Sequence, residues 1–180
     1  MAVRPPGEVL DALEAALRPA RAASATGVRW AGREQWHLTL AFLGAVADVG
    51  AVAAALKAAG AGRAPFRFRL GGGGAFPTPK KARVLWVGSS DGATDMAGLA
   101  GAVAAALVPL GYAGEERRFR GHVTVGRLRA PADVRPVVAA LGEGRMGRAW
   151  TVEEVVLYES RLSPAGSTYT VLERVALSAP

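Results

Sequence analysis

Apolar residues fall at helical spacing in some stretches and at alternate positions in others. Glu8 to Leu17 sets Val9, Leu10, Leu13 and Leu17 on one side and predicts a helix ended by Pro19. Val49 to Ala59 is Ala-rich and helical, and Met96, Leu99, Val103, Leu107 and Leu110 draw the clearest amphipathic stripe. A short helix over Val134–Leu141 follows Pro131. Trp36 to Leu43 alternates and predicts a strand closed by Gly44. Phe66, Phe68 and Leu70 alternate with Arg67 and Arg69, and the glycines at 71–74 then read as a loop or strand end. Arg83–Gly88 and His122–Leu128 predict further strands. Trp150–Tyr158 and Thr168–Leu177 predict two closing strands, joined through Ser163-Pro164-Ala165-Gly166.

Strands and helices alternate, yet hairpin-like strand pairs stand between them. This predicts a mixed α+β fold, mostly antiparallel, rather than a doubly wound parallel sheet. Two of the strands carry one tetrapeptide pattern, His37-Leu38-Thr39-Leu40 and His122-Val123-Thr124-Val125, and the chain has no other histidine. Each motif strand is followed by a helix and then by a strand pair. The repeat predicts a single domain over 1–180, made of two similar lobes about a pseudo-twofold axis. Each lobe gives one motif strand to a central cleft, with helices on the outside.

Side chains alternate between the faces of a strand, so His37 and Thr39 share one face while Leu38 and Leu40 take the other. His122 and Thr124 repeat the arrangement. Facing strands of this kind supply two acid/base groups and two hydroxyl donors, an outfit for moving one proton off a nucleophile and another onto a leaving group. A single His-x-Thr would be read as a buried, hydrogen-bonded strand histidine; the duplication reverses that preference.

Composition narrows the chemistry. Of 180 residues, 51% are hydrophobic and 21% charged, enough to fold around a core. The net charge is +7, carried mainly by arginine, which favours an anionic partner. Cysteine is absent, so disulfides, thiolate metal sites and cysteine nucleophiles are excluded. Two distant histidines without nearby carboxylates make a poor metal-ligand set, so no metal is expected. Ser160 and Ser163 lack a nucleophile-elbow sequence, and no Walker or Rossmann glycine pattern occurs. The amino-terminal residues do not resemble a signal peptide, and apolar stretches such as Ala100–Leu110 look too short for a bilayer. A soluble cytoplasmic monomer with no membrane contact is expected.

Around the second motif, Arg117, Arg118, Arg120, Arg127 and Arg129 outweigh Glu115 and Glu116 and suit an anionic ligand. Arg127 is the best single candidate, five residues after His122; Phe42 lies five residues after His37. An odd offset puts each on the face opposite its histidine in a regular strand, so joining the site needs a bulge or turn. Phe42 reads either as core or as a ring that stacks on a base.

At these residues the chain resembles the RNA 2′,3′-cyclic phosphodiesterases, also called 2′-5′ RNA ligases, of the two-histidine phosphoesterase superfamily. The resemblance rests on residues 37–44, Phe76-Pro77, Arg83-Val84-Leu85-Trp86-Val87-Gly88, residues 119–127, and Glu159-Ser160-Arg161-Leu162-Ser163-Pro164 with Tyr169. It implies a cofactor-free opening of RNA 2′,3′-cyclic phosphate ends to 2′-phosphomonoesters. His37 would be the proton donor and His122 the proton acceptor, with Thr39 and Thr124 holding phosphate oxygens. Arg127 and Arg120 would supply charge to the substrate, and Phe42 would touch the terminal base. The motifs are near-mirror copies, so the residues alone do not say which histidine is acid and which is base. Two departures stand out. Gly121 replaces the usual proline before the second motif. The opening strand is cut to Met1-Ala2-Val3, which leads us to expect an open sheet edge or a destabilised first lobe. Two other functions fit the same residues: 2′-5′ ligation at the same site, and a non-catalytic basic RNA-binding module.

Overall fold

The computed structural model describes residues 1–24, 27–112, 118–163 and 166–179. The strands are β1 (Ala2–Val3), β2 (Val28–Trp30), β3 (Leu38–Thr39), β4 (Phe66–Phe76), β5 (Ala82–Asp91), β6 (Val123–Ala132), β7 (Arg145–Val152), β8 (Glu154–Ser163) and β9 (Gly166–Ala176). The helices are α1 (Gly7–Ala22), α2 (Val49–Gly60), α3 (Ala93–Leu107) and α4 (Arg135–Leu141). The strands form one sheet in the order β7-β4-β5-β6-β3-β1-β8-β9, with β2 also on β6. Every pairing is antiparallel, as the α+β reading expects.

The two motif strands, β3 and β6, are neighbours at the middle of this order. The β4–β5 hairpin, which follows the first motif in sequence, lies beside β6, the second motif strand. The β8–β9 hairpin, which follows the second motif, reaches β3, the first motif strand, through β1. Each motif's side of the sheet is thus completed by a hairpin that follows the other motif in the chain, directly for β6 and through β1 for β3.

Several local expectations change. Helix α1 continues through Pro19, because its apolar stripe extends past Leu17 to the fully buried Ala20 and anchors the last turn on the core. The glycines at 71–74 are not a loop; they run inside β4. A Cβ on Gly73 would lie 2.3 Å from the Leu141 Cβ, and one on Gly74 would lie 2.1 Å from the Trp86 Cζ2. Neighbouring side chains occupy the space a larger residue would need.

The strand predicted over Trp150–Tyr158 is two strands, parted at Glu153. β7 pairs with β4 and β8 with β1 and β9, so the chain passes from one edge of the order to its far side within one residue. The sheet is therefore strongly curled. The strand predicted over Trp36–Leu43 shrinks to Leu38–Thr39, preceded by a 3-10 turn over Arg33–Gln35. Short β1 still lies between β3 and β8, pairing Val3 with Leu38 and Ala2 with Val156, so no open edge arises there. The Ser163-Pro164-Ala165-Gly166 connection lies partly outside the described residues, as do Arg117, Glu115 and Glu116.

The run Ala93–Leu110 is long and apolar enough, by length and composition, to cross a membrane, with a mean hydropathy of 1.5. In the fold its Met96, Leu99, Ala100, Val103 and Leu107 are buried in the core. That core also takes Leu13, Leu17, Trp36, Leu38, Leu56, Phe68, Leu85 and Val123.

Candidate active site

Leu38 of β3 stands directly across from Val123 of β6, and both side chains are fully buried. Cross-strand partners share a face. With these two apolar anchors on the core face, His37, Thr39, His122 and Thr124 all turn to the opposite one. The same register sets His37 across from Thr124 and Thr39 across from His122. The two imidazoles therefore lie diagonally on a single face, each next to the other motif's threonine.

Arg127 reaches that face through a bulge. Along β5 and β6, Trp86 pairs with Thr124, Leu85 with Gly126 and Val84 with Arg127, so Val125 is an extra residue on β6. Trp86 and Val84 share a face by alternation, and their partners Thr124 and Arg127 share it too. The odd offset from His122 to Arg127 required such a step, and β6 contains it.

Each imidazole packs against a pair of aromatic rings that also touch each other. His37 meets the edge of Tyr169 at 4.8 Å between centroids and lies 6.0 Å from Tyr158. His122 lies 5.2 Å from Phe76 and 6.1 Å from Trp86. The Arg120 guanidinium stands over Trp86, 4.6 Å from the ring centroid. The Tyr158 hydroxyl and the Trp86 indole nitrogen are buried without a hydrogen-bond partner among the described residues.

The ring tautomers follow from the backbone. The Nδ1 of His122 lies 2.7 Å from the Arg120 carbonyl oxygen. A carbonyl only accepts, so Nδ1 carries the hydrogen in this contact. His37 has a matching hydrogen bond to the backbone of Gln35, two residues earlier. Burial pushes the His37 imidazole down to about 4. The amino-terminal ammonium, Arg4 and His122 add positive charge in the same direction, against the Gln35 bond, which favours the charged ring. His37 senses the charge on His122, in keeping with their shared face.

Of the residues proposed from sequence, His37, Thr39, His122, Thr124 and Arg127 come to one face, and Arg120 covers Trp86 beside it. Phe42 is 74% exposed, which rules out the core reading for it. Sequence reasoning did not single out Tyr158, Phe76 or Trp86 for the site. Trp86 and Phe76 fall inside segments that resemble the family, but only the pairing of distant strands shows which histidine they flank. Among the described residues no three His, Cys, Asp or Glu side chains gather as a metal-binding group. A hollow of about 650 Å³ lies elsewhere, between residues 61–66 and the start of α3, and contains neither motif.

The same architecture occurs in solved structures. The Thermus thermophilus protein TT0787 superposes with a TM-score of 0.83 at 33% identity, over 99% of this chain and 96% of that one. Escherichia coli LigT, crystallised with 3′-AMP, superposes with a TM-score of 0.75 at 26% identity, over 98% and 95%. By sequence, an Aeropyrum pernix protein named RNA 2′,3′-cyclic phosphodiesterase is 32% identical over 145 residues, covering 79% of this chain and 82% of that protein. The chain belongs to the 2′-5′ RNA ligase superfamily, whose family model matches residues 9–163.

Proposed function

We propose that this protein hydrolyses 2′,3′-cyclic phosphate ends of RNA to 2′-phosphomonoesters by paired-histidine acid/base catalysis without a metal. The observation that carries this reading is the side-by-side pairing of the two His-x-Thr strands, with Leu38 across from Val123. In this reading one phosphorus atom sits between the two imidazoles. A water oxygen attacks phosphorus, and His122 takes its proton on Nε2, the ring nitrogen opposite the one bonded to the Arg120 carbonyl. The bond from phosphorus to the 3′-oxygen breaks, and His37 gives that oxygen a proton. The phosphate stays on the 2′-oxygen. Thr39 and Thr124 donate hydrogen bonds to the non-bridging oxygens as charge builds in the transition state. Arg127 adds a guanidinium on the same face, Arg120 stands at the edge over Trp86, and exposed Phe42 offers a ring to the terminal base.

The donor role asks His37 to be protonated, while its burial keeps it neutral at pH 7 in the free protein. A bound phosphate anion favours the charged ring and offsets the burial. The depressed His37 also gives support to the exchanged assignment, with His37 as base and His122 as acid. Both motifs come from one chain, so a monomer is sufficient for the chemistry, and we take the cytoplasm as its compartment.

The test is to incubate the protein with adenosine 2′,3′-cyclic phosphate in excess chelator and resolve the products. The reading expects 2′-AMP at an undiminished rate. Absence of turnover, a 3′-AMP product or full dependence on an added metal would contradict it. RNA halves bearing a cyclic phosphate and a 5′-hydroxyl separate hydrolysis from 2′-5′ ligation.

A further inference from the structure

β2 is three residues long, and its pairing with β6 puts Arg29 directly across from Arg127. Cross-strand partners share a face, so Arg29 stands on the face of the imidazoles. Like charges directly opposed on antiparallel strands are destabilising. Both side chains are exposed, and among the described residues no ion pair neutralises Arg127. The placement sets two guanidinium groups side by side, which suits an anion.

Arg29 also lies close to the β8–β9 hairpin. A Cβ on Gly166, at the start of β9, would lie 3.2 Å from an Arg29 terminal nitrogen and 2.9 Å from the Gln35 amide nitrogen. That Gln35 amide donates to the Ser167 carbonyl at 2.9 Å. Arg29 therefore stands where the β8–β9 hairpin meets β2, level with Arg127 on the neighbouring strand. Past the bulge, Thr124 and Arg127 stand opposite Trp86 and Val84, two residues apart on β5, so Arg127 lies about 7 Å of strand from Thr124, at ~3.3 Å per residue. A cyclic mononucleotide brings one phosphate, which the imidazoles, the two threonines and Arg127 already engage. A further guanidinium at this distance is matched by a second anion, and the planar fork of arginine suits phosphate.

We infer that Arg29, beside Arg127, forms a subsite for the next phosphodiester of an RNA chain, on the 5′ side of the terminal nucleotide. The subsite makes the enzyme select oligonucleotide ends over cyclic mononucleotides. This inference rests on the phosphodiesterase reading above.

The experiment compares kcat/KM for adenosine 2′,3′-cyclic phosphate with that for a triribonucleotide ending in a 2′,3′-cyclic phosphate. It uses the unmodified protein, Arg29→Gln, Arg29→Lys and, as a charge-matched control on the edge strand β7, Arg148→Gln. The expected result is a trinucleotide-to-mononucleotide ratio about tenfold lower in Arg29→Gln, partly restored in Arg29→Lys and unaltered in Arg148→Gln. The logarithmic salt dependence of trinucleotide kcat/KM should become shallower by roughly 0.7 in Arg29→Gln, the loss of one single-strand phosphate contact. An unchanged ratio, or an equal loss on both substrates, would overturn the subsite while leaving the phosphodiesterase reading intact. If the unmodified protein turns over neither substrate, the underlying reading fails and the subsite with it.

Discussion

His37 links the stability of the fold to pH in a way that can be measured apart from activity. In the unfolded chain its ring titrates at 6.5; in the folded protein burial lowers this to about 4. The unfolded state therefore binds a proton first as pH falls, and the native state is disfavoured. The contribution is fully present above pH 6.5, erodes between 6.5 and 4, and is gone below 4. From the two values, the loss is about 2 kcal/mol at pH 5 and about 3 kcal/mol at pH 4. The perturbation is His37→Gln, which keeps a polar side chain and removes the titration. Urea unfolding of both proteins at intervals from pH 8 to pH 4 gives two stability curves. The Met1 amino group, lowered by burial to about 6, also titrates in part of this range, but it is common to both proteins. The difference between the curves should shift by roughly 2 kcal/mol between pH 8 and pH 5, in favour of the variant as the solution becomes acidic. Curves that stay parallel from pH 8 to pH 4 would refute the claim that the His37 ring is held neutral by burial.

Other outcomes follow from single contacts. Gly74→Ala puts a methyl group 2.1 Å from Trp86 Cζ2, and the indole must shift. Unfolding stability should fall by about 1–3 kcal/mol, an overpacking cost. Turnover should fall with it, because Trp86 lies beside His122 and under Arg120; a variant of full stability and activity would contradict the close packing. A substrate whose bridging 3′-oxygen is replaced by sulfur has a leaving group that needs no proton. If His37 is the donor, this substrate should restore His37→Ala to within about tenfold of the unmodified protein, since a general acid contributes ~10²–10⁴. His122→Ala should gain nothing from it, and the reverse pattern would assign the roles the other way round.

The features that were legible in the sequence are those with a local period or a local pattern. The stripe Met96, Leu99, Val103 and Leu107 marks α3, and the duplicated His-x-Thr marks the site, because each depends only on neighbours along the chain. The offset of five from His122 to Arg127 even stated what the backbone had to do, and Val125 is the extra residue that does it. What stayed hidden depends on residues far away in sequence. β1 and β2, of two and three residues, are too short to show a period, yet they complete the sheet and place Arg29. Glu153 carries no turn signal, but β7 and β8 go to different partners on either side of it. The glycines at 71–74 read as a loop or strand end until Trp86 and Leu141 are seen in the space beside them. That Tyr158 and Tyr169 flank His37 follows from the order of strands, which no local pattern encodes.

Joint action of the two rings on one phosphorus is tested most directly by rates on adenosine 2′,3′-cyclic phosphate for the unmodified protein, His37→Ala, His122→Ala and the double variant. Each single change should cost about 10²–10⁴ in kcat, and the double variant should lose little more than the worse single one, since groups that act as a unit are not additive. Full activity in His122→Ala, or losses that multiply as if the rings worked independently, would contradict the account.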